Sequence, residues 1–168
     1  MKVAITGHRP EDLPNIGWVE EALADVFRKL NPELVIQGMA AGVDLLSAEV
    51  ASRLGFPVLC ARPWAGHTPR ATDRDLYRKV LNEATEVVDV NPNTDYQGPW
   101  MYHNRNEYMV DHADILVAVW SGKTFGGTAA CVKYAKRKQK PIVQINPITQ
   151  TVTYPEPVEP SPSAEALF

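Results

Sequence analysis

Short β-branched runs alternate with helical stripes along this chain, and that rhythm constrains the fold more than anything else in it. Apolar runs at 3–6, 34–37, 58–61, 86–90, 115–120 and 142–145 predict six strands. Several are apolar without alternation, as in strands covered on both faces. Helical stripes fill the gaps. Trp18, Val19, Ala22, Leu23, Val26, Phe27 and Leu30 form one, stopped by Asn31-Pro32. Leu45, Leu46, Val50, Ala51 and Leu54 form a second, ended by Gly55. Leu76, Tyr77, Val80, Leu81 and Ala84 form a third, and Met101, Tyr102, Tyr108 and Met109 lie on a fourth. The fifth, over 128–138, ends in Lys136, Arg137 and Lys138, cations suited to the negative pole of a helix.

Strict strand–helix alternation predicts an α/β fold: a Rossmann-like, doubly wound, mainly parallel sheet with helices on both faces. The rhythm stops near Asn146. Residues 1–146 are expected to form one nucleotide-binding domain. Residues 147–168 carry five prolines and are expected to form an extended or disordered tail, dispensable for folding.

Composition narrows the function classes. The chain has 168 residues, 45% hydrophobic and 22% charged, enough for a real core. Its net charge of −3 argues against a protein that grips nucleic acid by its phosphates. Cys60 and Cys131 fit no zinc motif and are expected to be buried free thiols in a reducing compartment. His8, His67, His103 and His112 show no ligand spacing, so no metal site is expected, and no cofactor. No apolar run reaches membrane-spanning length, and no signal peptide is recognised, so a cytoplasmic location is expected.

In a parallel sheet, ligands bind beyond the carboxyl ends of the strands, so the turns there carry the candidates. After the first strand come Gly7, His8 and Arg9: a glycine for close backbone approach, then two polar groups delivered to the ligand edge. The alternative is a polar turn with an incidental histidine. After the second strand, Gln37-Gly38-Met39-Ala40-Ala41-Gly42-Val43-Asp44 opens a helix whose N-terminus suits an anion. Asp44 either caps that helix or holds a ribose hydroxyl. After the fifth strand, Ser121-Gly122-Lys123-Thr124-Phe125-Gly126-Gly127-Thr128 opens another helix and offers free N–H groups to a phosphate, though it is no Walker A loop. Arg105, on the fourth helix, is either a bidentate phosphate clamp or a surface cation. Trp64, Trp100 and Tyr102 either stack on a base or pack at the rim. The stretch 91–99 is long enough for a lid.

Two motifs carry a family resemblance over about 2–145. The second turn is similar to the Ser-Gly-(Leu/Met)-Ala-x-Gly-(Ile/Val)-Asp turn of the bacterial DNA-processing protein A. The order from Met101 to Thr128, a Met, an Arg-bearing helix, an Ala-Asp, a strand and a Gly-Gly turn, resembles the Lonely Guy phosphoribohydrolases. Both belong to the SLOG superfamily, and the chain looks closest to its small bacterial and phage members. The resemblance puts Arg105 at the functional arginine and Gly126, Gly127 and Thr128 at the phosphate turn. It also implies a homodimer. Three departures matter. Trp120-Ser121-Gly122-Lys123 replaces the proline entry to the hydrolases' glycine turn, Cys131 stands where they carry their catalytic glutamate, and Asn106 replaces the lysine after the arginine.

The expected function is therefore binding of a nucleotide or a phosphorylated nucleoside derivative. Gly7, His8, Arg9, Gly38, Met39, Gly42, Asp44, Arg105, Asn106, Gly126, Gly127 and Thr128 are the expected ligand contacts. The runner-up is release of a base from a nucleoside 5′-monophosphate, with Arg105 and Glu107 as catalysts, or Asp111 in place of Glu107. A DNA-handling module is a third, less favoured reading.

Overall fold

The computed structural model describes residues 1–156. Six strands run parallel: β1 (Lys2–Gly7), β2 (Leu34–Gln37), β3 (Val58–Arg62), β4 (Glu86–Asp89), β5 (Ile115–Val119) and β6 (Ile142–Asn146). A seventh, β7 (Thr151–Thr153), pairs antiparallel with β6. The order across the sheet is β4-β3-β2-β1-β5-β6-β7. The chain winds outward from β1 to β4, then crosses back and winds the other way from β5. The switch in direction therefore lies between β1 and β5, where doubly wound sheets open a ligand crevice.

Alternate residues of the strands serve the two faces. Val3, Ile5, Val117 and Val119 pack on one side with α1 (Ile16–Leu30), α2 (Val43–Arg53) and α3 (Arg74–Glu83). Ala4, Leu116 and Ala118 pack on the other with α4 (Trp100–Asp111) and α5 (Gly127–Arg137). This two-sided burial is why the strands read as continuous apolar runs.

The expectation of an extended or disordered tail from residue 147, apart from the domain, is corrected in part: residues 151–153 join the sheet. Asn146 Oδ1 accepts the N–H groups of Ile148 and Thr149, at 3.0 and 3.2 Å, and turns the chain. The chain then returns as β7, and Tyr154 packs against the core with Lys29 Nζ 3.9 Å from its ring centre. The part of that expectation falling on 157–168 lies outside the described residues. No helix among the described residues is long and apolar enough to cross a membrane.

Candidate functional site

A cleft of about 630 Å³ opens at the carboxyl ends of β1 and β5. Its floor is built by interlocked turns. Gly7, at the end of β1, has no room for a side chain: a Cβ there would lie 2.6 Å from the Val43 side chain, so glycine lets α2 abut the strand. The next carbonyl, of His8, accepts the Val43 N–H at 3.3 Å. Gly42 sits against it at φ +91°, where a Cβ would come within 2.6 Å of the His8 oxygen, so both conformation and space demand glycine.

His8 is buried and bordered by two loops. Its Nε2 accepts the Ser121 N–H at 3.1 Å, which leaves the ring proton of the neutral form on Nδ1. Burial holds its pKa below the ordinary histidine value, and the Lys123 charge pushes the same way against Asp12. The turn after β1 is thereby tied to the turn after β5.

The turn after β2 is held from within. Gln37, fully buried, accepts the Met39 N–H on Oε1 at 2.7 Å. Met39 takes a left-handed φ of +64° and buries its side chain, with its sulfur 3.1 Å from Gln37 Nε2. Asp44 lies in the first turn of α2, and its Oδ2 accepts the Ala40 N–H at 3.2 Å. Burial raises its pKa, and the nearby Arg105 charge offsets part of that rise. So the carboxylate secures the turn and also borders the cleft.

Arg105 is the unusual member. It is 7% exposed, yet no carboxylate among the described residues lies within 4.0 Å of it. Its Nε donates to Asn106 Oδ1 at 3.1 Å and its Nη1 to the Gly38 carbonyl at 2.5 Å. Nη2 has no hydrogen-bond partner among the described residues. Among the described residues every fully buried side-chain nitrogen does have one, so Nη2 is not fully enclosed, and Arg105 borders the cleft. A buried cation with neutral partners is a demand for an anion.

The third wall is the start of α5. Gly126 precedes it at φ +99° and supplies no side-chain cap. The first helical bond runs from the Ala130 N–H to the Gly126 carbonyl at 3.0 Å. The N–H groups of Gly127, Thr128 and Ala129 are therefore the free donors that every helix start leaves, at the positive end of its dipole. Arg9, exposed and without an ion pair among the described residues, and Lys123, 3.7 Å from Asp12, add positive charge.

Of the expected contacts, Gly7, His8, Arg9, Asp44, Arg105, Asn106, Gly126, Gly127 and Thr128 border this one cleft. Gly38, Met39 and Gly42 do not. They shape it from behind, Gly38 through its carbonyl to Arg105. Glu107 also falls elsewhere, in a hollow between α4 and α5 with Lys133 and Tyr134. Two residues along a helix turn a side chain through more than half a turn, so Arg105 and Glu107 cannot share a face. Asp111 is spent on Tyr134, whose hydroxyl donates to it at 2.8 Å. Cys131 is fully buried in the core between α5 and the sheet, its thiol pushed up to about 11 by burial. Among the described residues no group of three or more His, Cys, Asp or Glu could hold a metal.

The stretch 91–99, expected as a lid, is tied down. Asn91 Nδ2 donates to the Pro63 carbonyl at 2.7 Å, and the Ala65 and Gly66 N–H groups bond to the Asn91 and Asn93 carbonyls. Trp64 is buried in an aromatic cluster with His67, Tyr96 and Tyr102. Of that cluster Tyr102 borders the cleft. Sequence reasoning assigned no role to Phe125, which also borders the cleft and is 74% exposed. A large apolar residue inside a glycine-rich turn was the available signal.

The chain is similar to several known proteins. It is 27% identical over 159 residues to a UPF0398 protein of Bacillus cereus, covering 81% of this chain and 83% of that one. It is 36% identical over 76 residues to the SPbeta prophage-derived protein YoqJ of Bacillus subtilis, a match spanning 40% of this chain and 44% of YoqJ. Among solved structures, DNA processing protein A of Helicobacter pylori, described for its single-stranded DNA binding, superposes with a TM-score of 0.67 at 20% identity, covering 99% of this chain and 71% of that one. The molybdenum cofactor carrier protein of Chlamydomonas reinhardtii gives 0.57 at 18% identity, covering 85% and 74%. These structural likenesses establish the Rossmann-like fold. The family model described as the YspA SLOG family matches residues 3–150, and the chain belongs to that family.

Proposed function

We propose that the cleft binds a nucleotide or a phosphorylated nucleoside derivative. One observation carries the reading: Arg105 is buried with no carboxylate of the described residues within 4.0 Å, and it borders the cleft where α5 begins. In this reading the phosphate sits on Gly126, Gly127 and Thr128 and is clamped by Arg105 Nη2. His8, Asp44 and Asn106 face the sugar. Hydrolysis of the ligand is the weaker alternative. The carboxylates bordering the cleft are Asp12, paired with Lys123, and Asp44, held by Ala40, while Glu107 lies outside it. The protein is expected to work as a cytoplasmic homodimer.

The test is the response of the melting temperature to nucleoside monophosphates. A ligand at a hundred times its Kd adds about 2.7 kcal/mol to stability. Gly127→Asp should abolish the response. A Cβ at Gly127 meets nothing within 4 Å, and an acid at a helix start is favourable, so the variant should fold while its carboxylate fills the anion site. A variant that still responds fully would place the site elsewhere.

A second reading is single-stranded nucleic acid. The likeness to a DNA-processing protein removes the support for excluding nucleic acid on net charge alone. Exposed Lys133, Lys136 and Arg137 on α5 give a local basic strip despite that charge. Retardation of a single-stranded oligonucleotide that weakens steeply with salt would favour it.

A further inference from the structure

We infer that Phe125 is the wall against which the base of the bound nucleotide stacks, opposite Tyr102. The inference rests on the proposed nucleotide site and adds which residue recognises the base. Phe125 is 74% exposed, although a phenyl ring left in water forfeits the gain of burial. It borders the cleft, so its ring is offered to whatever the cleft holds.

Its position in the chain defines what that is. Phe125 stands two residues before Gly127, so its Cα lies no more than about 7.6 Å from the first free N–H residue of α5. A phosphate on those amides therefore leaves the ring at about the distance of the next bulky part of the ligand, across the sugar. The cleft is also bordered by Pro99 and Tyr102, from the start of α4. Tyr102 is itself fixed, with its ring 5.5 Å from Trp64 and 5.8 Å from Tyr96. Each side of the cleft thus sets an aromatic ring beside a cation, Tyr102 with Arg105 at 5.8 Å on α4 and Phe125 with Lys123 at 5.9 Å before α5, the two kinds of group that a nucleoside monophosphate needs.

The loop that carries Phe125 is held at its base. Trp120 Nε1 donates to the Lys123 carbonyl at 3.0 Å, and Lys123 reaches across to Asp12. Phe125 itself contacts one cation, Lys123, 5.9 Å from its ring centre. The ring can settle on a base without breaking packing elsewhere.

The experiment compares two probes, ribose 5-phosphate and a nucleoside monophosphate, on three proteins by calorimetric titration. In the natural protein the monophosphate binds more tightly. Phe125→Ala lowers monophosphate affinity roughly ten- to a hundredfold, the span of one base–aromatic stack, and leaves ribose 5-phosphate unchanged. Phe125→Trp retains monophosphate affinity, and the added indole fluorescence is quenched by the monophosphate and not by ribose 5-phosphate. Equal loss for both probes, or no loss for either, overturns the assignment of Phe125 while leaving the phosphate site standing. Failure of both probes to bind the natural protein overturns the nucleotide site itself.

Discussion

The guanidinium of Arg105 occupies the volume that a side chain at Gly38 would need. A Cβ at Gly38 would lie 2.5 Å from Arg105 Nη1 and 2.7 Å from its guanidinium carbon. Gly38→Ala is therefore expected to expel the arginine from its seat. Overpacking of this kind costs about 1–3 kcal/mol. The melting temperature should fall and the response to nucleoside monophosphates should vanish. A variant that melts and responds like the natural protein would show that the arginine can be held elsewhere.

Stability should fall in mild acid, with His67 as one cause. Burial pushes His67 down to about 4, with the charges of Arg105 and Arg62 acting the same way. Its ring also bonds the Tyr77 hydroxyl at 2.9 Å. The folded value lies below the unfolded one, so the folded chain binds fewer protons between the two. The associated stability is complete above about pH 6.5 and is lost as pH falls toward 4, on the order of 3 kcal/mol. Asp44, raised by burial, contributes in the opposite sense. Comparing the natural protein with His67→Phe isolates the histidine: the natural chain should lose more melting temperature between pH 7.5 and 5. Parallel curves would sink the assignment.

The thiols should be silent. Burial pushes Cys60 up to about 12 and Cys131 up to about 11, and neither is accessible. A thiol reagent should label the native protein only as fast as it unfolds. Restoring the hydrolases' glutamate at position 131 should not create a hydrolase, because the side chain would point into the core. Cys131→Glu is expected to cost about 3 kcal/mol or more as a buried unpaired carboxylate. Free base released by that variant at its normal melting temperature would contradict this placement.

Truncation should discriminate within the C-terminal segment. Ending the chain after Ile148 removes β7 and Tyr154. It should cost at least about 1 kcal/mol, or roughly 2–4 °C. Ending it after Glu156 is proposed to leave the melting temperature unchanged. Equal stability of the two truncations would mean that β7 adds nothing.

The central parallel strands were legible because both of their faces are buried, so they read as apolar runs, while β4, an exposed edge strand, shows only Val87 and Val88 between charged residues. β7 was not legible. Thr151-Val152-Thr153 is short and lies at an edge among prolines, and the Asn146-Pro147 pair signals an ending as readily as a turn. The three turns of the site were legible for a similar reason: strand, small residues and helix start are local signals. Which way a side chain points was not local. Met39 turns inward because Gln37 captures its N–H, and Glu107 leaves the cleft because α4 presents Arg105 there instead. Phe125 carried no periodic pattern at all.

The ties that build the cleft are long in sequence. Arg105 and Gly38 are 67 residues apart, and His8 and Ser121 are 113 apart. The first needs α4 laid over the β2 side of the sheet, the second needs β5 paired with β1, so the two together require both sides of β1. In a refolding experiment, ligand-binding competence should therefore appear with the slowest phase, after helical signal has returned, because non-local contacts form late. A single tight-binding ligand would then serve as a clock for the closing of the whole sheet.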